Sequence, residues 1–366
     1  MRILHLINNM DAGGAQKLVA DLAMLQDDLE DTTVEIATLL PETDALFGKW
    51  ISSHSSIPVH SLHVQKPFSL SAACRLRRLF RDYDLIHAHL FPSGYLATMA
   101  NVGLSKTLVY TEHSTSNRRR DHKILRPLEK IVYSRYDAVV CISEATRENL
   151  LSWIGGSALA ARTPVIHNGI DVSRYELAQP SAPEEIFGRK GTPVLMVSRF
   201  SPAKDHATVI RAISRLKQSD VFIAFVGDGE TLEPMKKLAG ELNVAERCVF
   251  MGNRNDIPSI ISAASIGIQA SRWEGFGLTA LEMMAGGLPV VASDNEGLRN
   301  VVEGGALLFK TGDDRDLAEK VNSLLDDVSL RRQTISACRK RAREFDVSKT
   351  VGKYQSLYVE LINKGK

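Results

Sequence analysis

"HNGIDVSRYELAQPSAPEEIFGRKGTP" (residues 167–193) is where the hydrophobic periodicity of this chain pauses. Proline, glycine, serine and charged residues crowd it, the composition of a connection between domains. On either side, short apolar runs alternate with helix-like segments, the pattern of α/β domains built on parallel sheets. Before the pause, strands are expected at 2–7 (RILHLI), 33–39, 57–63, 84–88, 107–111, 137–142 and 163–167, with helices at 14–26, 70–82, 93–102, 120–135 and 144–152. After it, strands fit 193–198, 221–227, 247–251, 265–270, 288–292 and 306–309, and helices fit 205–217, 230–243, 256–263, 278–286, 294–302 and 314–325. Two long polar-rich helices close the chain near 328–344 and 348–363. The expected architecture is two Rossmann-like domains, 1–170 and 171–347, with parallel sheets facing each other across a cleft. Ligands of such sheets bind at the carboxyl ends of the strands, so the cleft is the expected site.

The totals exclude several classes. The 366 residues suffice for two domains, each with its own core. Forty-five basic residues against 43 acidic leave a net charge of +2, no reason to expect a nucleic-acid partner. Cys74, Cys141, Cys248 and Cys338 are widely spaced, with neither a CxxC nor a Cys/His cluster, and read as free thiols in a reducing compartment. The chain opens directly on a strand, which predicts no secretory signal. No apolar run approaches the roughly 20 residues a membrane-spanning helix needs. A cytoplasmic protein is expected, with attachment to a membrane face left open.

Several strand ends carry chemistry. "NNMDAGGAQKLV" (8–19) is a strand, a glycine-rich turn and a helix start. Gly13 and Gly14 would let backbone approach a phosphate at a helix N-terminus, or they form a simple tight turn. "VSRFSPAKDH" (197–206) sets Arg199 and Lys204 just past a strand end, where a planar fork and a point charge suit a diphosphate, unless they are a solvated pair. "FVGDGE" (225–230) reads as a tight turn with Asp228 or Gly229 at the next helix start. In "FMGNRNDIP" (250–258), Gly252 allows backbone close to a flat base, and Asn255 or Asp256 could cap the following helix. His87 and His89 stand two apart, but no carboxylate or cysteine accompanies them at ligand spacing, so no metal is expected. "VYTEHSTSN" (109–117) ends a strand with Glu112, His113 and Ser114, and places His113 to reach a substrate, unless it is a structural histidine.

Two basic strips stand out. Asn117-Arg118-Arg119-Arg120 opens a window, 117–135, with seven Lys/Arg against two Asp/Glu. Arg75, Arg77, Arg78 and Arg81 interleave with Leu76, Leu79 and Phe80. Both patterns suit an anionic membrane surface or a phosphate-bearing acceptor, and equally a solvated helix face.

"SRWEGFGLTALEMMAGGLPVVASD" (271–294) carries two glutamates eight positions apart, Glu274 and Glu282. This segment closely resembles the E-x7-E motif of the retaining glycosyltransferases of family 4 (glycosyl transferases group 1), which have the GT-B fold. The resemblance runs in order through Gly13-Gly14, His113, "IHNGID" (166–171), Arg199 with Lys204, and "VGDG" (226–229), and covers essentially the whole chain. Gln16 stands where many members carry Glu, which bears on acceptor choice, and "EGGALLF" (303–309) is compressed. The resemblance implies transfer of a sugar from a UDP- or GDP-sugar to a sugar or lipid-linked acceptor hydroxyl, with retention and without metal or cofactor. The donor would sit mainly on the C-terminal domain and the acceptor mainly on the N-terminal one. Glu282 would take the ribose hydroxyls, Glu274 the donor sugar, and His113 would position that sugar near its anomeric carbon. The family's closing helix returns to the first domain, which assigns 348–366 there.

The residues fit such chemistry. Negative charge grows on the departing nucleoside diphosphate, and preorganised positive groups lower that barrier. Arg199 and Lys204 would supply charge. Backbone N–H groups near Gly14, and of Phe276, Gly277 and Leu278 at a helix start, would supply dipoles. Asn168-Gly169 would be the hinge that closes the cleft, with Asn168 otherwise a turn residue. The alternatives are a nucleotide-sugar 2-epimerase on the same fold and a non-catalytic nucleotide-sugar-binding protein. A phosphorylase would be far longer, and a dehydrogenase would carry the dinucleotide fingerprint absent here. Surface polysaccharide, lipopolysaccharide or glycolipid assembly is the expected setting.

Overall fold

The structure, a computed structural model, describes the chain except residues 12, 42–45, 65–69, 114–117 and 366. It divides into two compact units, Met1–Gly169 with Val347–Lys366, and Ile170–Asp346.

The first unit holds β1 (Arg2–Ile7), β2 (Thr33–Thr38), β3 (Val59–Ser61), β4 (Leu85–His89), β5 (Thr107–Glu112) and β6 (Ala138–Cys141), all parallel in the order β3-β2-β1-β4-β5-β6. Successive side chains on a strand point to opposite faces, so each strand feeds two cores. Ile3, Ile7, Leu85, Val109 and Val140 pack under helices Gly14–Asp27 and Val347–Gly365. Leu4, Leu6, Ile86, Leu108 and Val139 pack with Leu76, Phe80, Leu96 and Val132 on the other face. The closing helix inserts Tyr354 and Tyr358 into the first core, both fully buried, and truncating either to alanine would cost about 3–5 kcal/mol.

The second unit holds β7 (Thr192–Val197), β8 (Val221–Val226), β9 (Cys248–Phe250), β10 (Ile266–Gln269), β11 (Val290–Ser293) and β12 (Leu307–Phe309), parallel in the order β12-β11-β10-β7-β8-β9. One face packs Val194, Met196, Ile223, Phe225, Ile268 and Val291 against Val209, Ile213, Leu317 and Val321. In each sheet the first strand lies beside the fourth, so consecutive connections leave to opposite sides there. That reversal is the doubly wound topology and the place where ligands settle.

Four local expectations are corrected. Residues 163–167 form no strand and contribute only an isolated bridge, Cys141 to Val165. The helix expected over 120–135 is two 3-10 turns followed by Arg126–Ser134. Pro127 lies in that helix's first turn, where its missing N–H costs nothing. The connection 167–193 contains two short helices, Val172–Glu176 and Pro183–Phe187. Asp171 caps the first by accepting from the Arg174 N–H at 3.1 Å, and both pack on helix Ile257–Ala263. Leu46–His54 is a further helix that the periodicity did not announce.

Candidate active site

In the second unit, the loops leaving β7 and β10 meet at the reversal point. Lys204 comes from the first and Glu274 from the second. The Lys204 Nζ donates to Glu274 Oε2, with side chains only 22% and 13% exposed. The same oxygen also receives Gln269 Nε2 and Ser271 Oγ, each at 3.3 Å. The Arg272 N–H donates to the Ala203 carbonyl at 2.8 Å, and its guanidinium lies 3.4 Å from the buried Asp205. The two loops are therefore stitched by backbone and by charge. Arg199 is exposed and enters no ion pair among the described residues.

Helix Leu278–Ala285 begins beside this pair. Gly277 precedes it at φ 93°, and no side chain caps its first turn. Open N–H groups and the helix dipole make such an end attractive to anions. Glu282 is buried in the second turn of the helix. The Phe276 ring is core, edge-on to Phe345 at 5.6 Å. Behind Glu274, Ser293 Oγ accepts from the Ser271 N–H at 2.9 Å, and Asn295 Nδ2 donates to the Ser271 carbonyl at 2.9 Å. Gly297 lies so close that a Cβ there would stand 1.9 Å from the Glu274 carbonyl oxygen. These supports were not picked out from the sequence. Their signal was the N-cap pattern in "SDNEG": Asn295 accepts from the Leu298 N–H at 3.1 Å.

Two turn readings change. Helix Leu232–Glu241 starts beyond Thr231, so neither Asp228 nor Gly229 opens it. The glycines there serve close backbone approach. Cβ atoms on Gly227 and Gly229 would sit 2.2 Å from the Ser198 and Phe200 carbonyl oxygens. Asp256 occupies the cap position of the next helix but makes no cap, because Arg254 holds its carboxylate at 2.8 and 2.5 Å. Gly252 adopts φ 65°, and its carbonyl accepts from the Gly227 N–H at 2.8 Å.

In the first unit, the reversal point lies between β1 and β4. Asn8, just past β1, receives the Ser93 N–H on Oδ1 at 3.4 Å and donates to the Phe91 carbonyl at 2.5 Å. Helix Gly14–Asp27 follows Gly13 with no side-chain cap and no acidic residue in its first turn. Gln16 donates to Asn9 at 3.1 Å. At the end of β5, half-buried His113 bonds through Nε2 to His89 Nδ1 at 3.1 Å. Asn168 is 4% exposed, and its Oδ1 has no partner. Next to it, a Cβ on Gly169 would lie 2.5 Å from the Val347 Cα.

His87 and His89 are not alone. Register sets His5 opposite His87, and ligand atoms of His5, His87 and His89 lie within 4.8 Å of one another. The spacing of His87 and His89 alone could not show this third imidazole, because it stands in another strand. All six ring nitrogens are already engaged. His5 bonds Gln26 at 2.8 Å and His89 at 3.1 Å. His87 bonds Thr111 at 2.7 Å and Tyr358 at 2.5 Å. A cation would have to displace these bonds. Burial lowers His5 to about 4 and holds His87 and His89 well below their usual value. His113 is also lowered to about 4 by enclosure.

The basic strips resolve differently. Ser114 and Asn117 lie outside the described residues, as does the Arg118 side chain. Arg119 and Arg120 are structural: they pair with Glu129 at 2.9 Å and Glu112 at 3.0 Å, both carboxylates buried. Arg75 and Arg77 cap the Leu62 and Ala100 carbonyls at 2.8 and 3.3 Å, and Leu76 and Phe80 face the core. In that second strip the apolar residues Leu76 and Phe80 line the core side of an amphipathic helix, with Arg78 exposed. Exposed apolar residues occur at Ile124, Leu128 and Ile131 beside the first strip, and at Leu70, Met99 and Val102 near the second.

A doubly wound pair of parallel sheets with a Lys–Glu pair and an open helix end at the second switch point defines a GT-B glycosyltransferase architecture. Family models match along most of the chain: glycosyltransferase family 4 over residues 12–174 and glycosyl transferases group 1 over 183–341. The chain belongs to these family 4, group 1 glycosyltransferases. It is 26% identical over 298 residues to the Escherichia coli UDP-Gal:α-D-GlcNAc-diphosphoundecaprenol α-1,3-galactosyltransferase, covering 76% of each chain. It is 27% identical over 406 aligned positions to the D-inositol 3-phosphate glycosyltransferase of Salinispora tropica, covering 98% of this chain and 83% of that one. The crystal structure of Anabaena HepE in complex with UDP-glucose superposes with a TM-score of 0.84 at 24% identity, covering 98% and 100%.

Proposed function

We propose that this glycosyltransferase moves a sugar from a nucleoside diphosphate sugar to an acceptor hydroxyl with retention of configuration and without a metal. The observation that carries the reading is the Lys204–Glu274 pair beside the uncapped helix start at Gly277–Leu278. Lys204 and Arg199 neutralise the diphosphate as its bond to the sugar breaks, and the N–H groups of 276–278 add fixed dipoles. Glu274 meets the sugar and favours positive charge at its anomeric carbon. Glu282 takes the ribose hydroxyls, with Gly252 backbone against the base. His113 holds the sugar at the carboxyl edge of the first sheet. Gly13, Gly14 and Gln16 line the acceptor side, and Asn168 lies at the passage between the units. Attack on the face the leaving group departs from, with a phosphate oxygen taking the acceptor proton, gives retention.

A lipid-linked or glycolipid acceptor in surface polysaccharide or lipopolysaccharide assembly is the setting we infer. The Escherichia coli relative's name describes a diphosphoundecaprenol acceptor. Exposed Ile124, Leu128 and Ile131 beside Lys123, Arg126 and Lys130 suit a peripheral contact with an anionic cytoplasmic membrane face. Among the described residues no helix is long and apolar enough to cross a membrane.

The test is a thermal-shift screen of UDP- and GDP-sugars, followed by incubation with the donor that binds. Slow release of nucleoside diphosphate, persisting in EDTA, is expected. Epimerised sugar without acceptor would identify a 2-epimerase instead. A product of inverted anomeric configuration would refute retention, and full loss in EDTA restored by a divalent cation would refute metal independence.

A further inference from the structure

His113 is the outer end of a hydrogen-bonded row that runs inward through the first unit. His113 Nε2 meets His89 Nδ1 at 3.1 Å, His89 Nε2 meets His5 Nδ1 at 3.1 Å, and His5 Nε2 meets Gln26 Oε1 at 2.8 Å. His5, His89 and Gln26 have no exposed surface. The row exists because β1, β4 and β5 present these residues on one face in register, His5 opposite His87 and His89 opposite Thr111. Helix Gly14–Asp27 brings Gln26 over them.

A neutral imidazole carries one N–H and one lone pair, so a row of three has only two self-consistent arrangements. Which one holds is decided at the inner end. Gln26 Oε1 is an acceptor, so His5 carries its proton on Nε2 and accepts on Nδ1. His89 must then donate from Nε2 and accept on Nδ1, and His113 must donate from Nε2. Gln26 Nε2 has no hydrogen-bond partner among the described residues, so the acceptor contact to His5 is what ties the amide to the row. Burial keeps the imidazoles neutral at pH 7.

We propose that Gln26 is a positioning residue that fixes, through His5 and His89, the tautomer of His113, so that its outward Nδ1 is a lone pair offered to a ligand hydroxyl. His113 then accepts and does not donate at that atom. It favours a sugar bearing a free hydroxyl there over a deoxy or fluoro analogue, which cannot donate. The use made of the tautomer rests on the donor-sugar reading of His113, but the tautomer itself does not.

The test uses the full chain labelled with 15N-histidine and long-range proton–nitrogen correlation, with His113 assigned by its loss in His113→Gln. The wild type should show His113 protonated on Nε2 and unprotonated on Nδ1. Protonation on Nδ1 overturns the proposal without any variant. Gln26→Met removes the acceptor and should give mixed tautomers, with kcat/KM lower by about 10- to 100-fold, as when a group that orients a functional histidine is lost. A folded Gln26→Met with the tautomer unchanged overturns the proposal. If Gln26→Met does not fold, the wild-type spectrum decides, because protonation of His113 on Nδ1 overturns the proposal. The expected tautomer in a protein that transfers no sugar would refute the proposed function and leave this inference standing.

Discussion

Replacing Lys204 with alanine separates a phosphate contact from a structural ion pair. The ammonium lies at the strand reversal, 22% exposed and bonded to Glu274. At about 4 Å and an effective dielectric constant of about 20, one charge pair is worth roughly 4 kcal/mol before desolvation. A charge-assisted hydrogen bond nets about 1.5–3 kcal/mol, so Lys204→Ala should weaken a nucleoside diphosphate by about 10- to 150-fold. Uridine or guanosine alone, lacking the charge, should bind within about twofold of wild type, since every 1.4 kcal/mol is about tenfold. The variant also leaves Glu274 with only neutral donors, Gln269, Ser271 and its neighbouring N–H at 3.2 Å. That carboxylate would then repel the diphosphate and inflate the loss. Lys204→Ala with Glu274→Gln removes the repulsion, and the double-mutant cycle returns the direct term. Titration calorimetry of UDP, GDP and their nucleosides against the four proteins is the assay. Equal weakening of nucleotide and nucleoside, or complete recovery in the double variant, would refute a direct phosphate contact.

Glu274→Gln preserves shape and one acceptor oxygen, so donor affinity should change little while kcat falls by about 100- to 1,000-fold, the scale of losing one preorganised transition-state group; steady-state kinetics showing near-normal turnover would remove its role. Gly297→Ala places a Cβ against the Glu274 carbonyl and should cost about 1–3 kcal/mol in urea unfolding, with a larger loss of activity than of stability, whereas an unchanged variant would show that the loop is not held there. Stability should fall with pH between 6.5 and about 4, because His5 is neutral and buried with its value lowered to about 4, so the unfolded chain binds the proton first. That difference is worth roughly 3 kcal/mol, present above 6.5 and lost towards 4, and urea unfolding that is flat across this window would refute it.

Much of the fold was legible because parallel sheets buried on both faces leave uninterrupted apolar runs between helices. "RILHLI" and "VFIAFV" announce β1 and β8 almost to the residue. What escaped was set by distant partners. The two helices in the 167–193 connection are only five residues each, too short for periodicity, and they are stabilised by packing on helix Ile257–Ala263, far along the chain. Arg119 and Arg120 read as a surface strip because Glu129 and Glu112, which neutralise them, come from other elements. His5 stood inside an apolar strand, and only register reveals that it faces His87. The glutamates of 274–282 were legible as a pair, but the Lys204 contact to Glu274 joins residues 70 positions apart.

The two switch points use opposite electrostatics, and burial explains why. At the second, Lys204 and Glu274 form an ion pair that keeps partial access to solvent. At the first, His5, His87 and His89 are wholly enclosed, which penalises any proton beyond one per ring. A neutral row cannot offset a phosphate charge, but it can present a lone pair of fixed direction, the complement of a hydroxyl. Exchanging the two solutions would fail in both places. A buried ammonium among the histidines would lose its proton, and a neutral imidazole in place of Lys204 would leave the Glu274 carboxylate without its cation. The distribution of polar residues over the two sheets therefore gives one switch point an ionic character and the other a neutral hydrogen-bonding one.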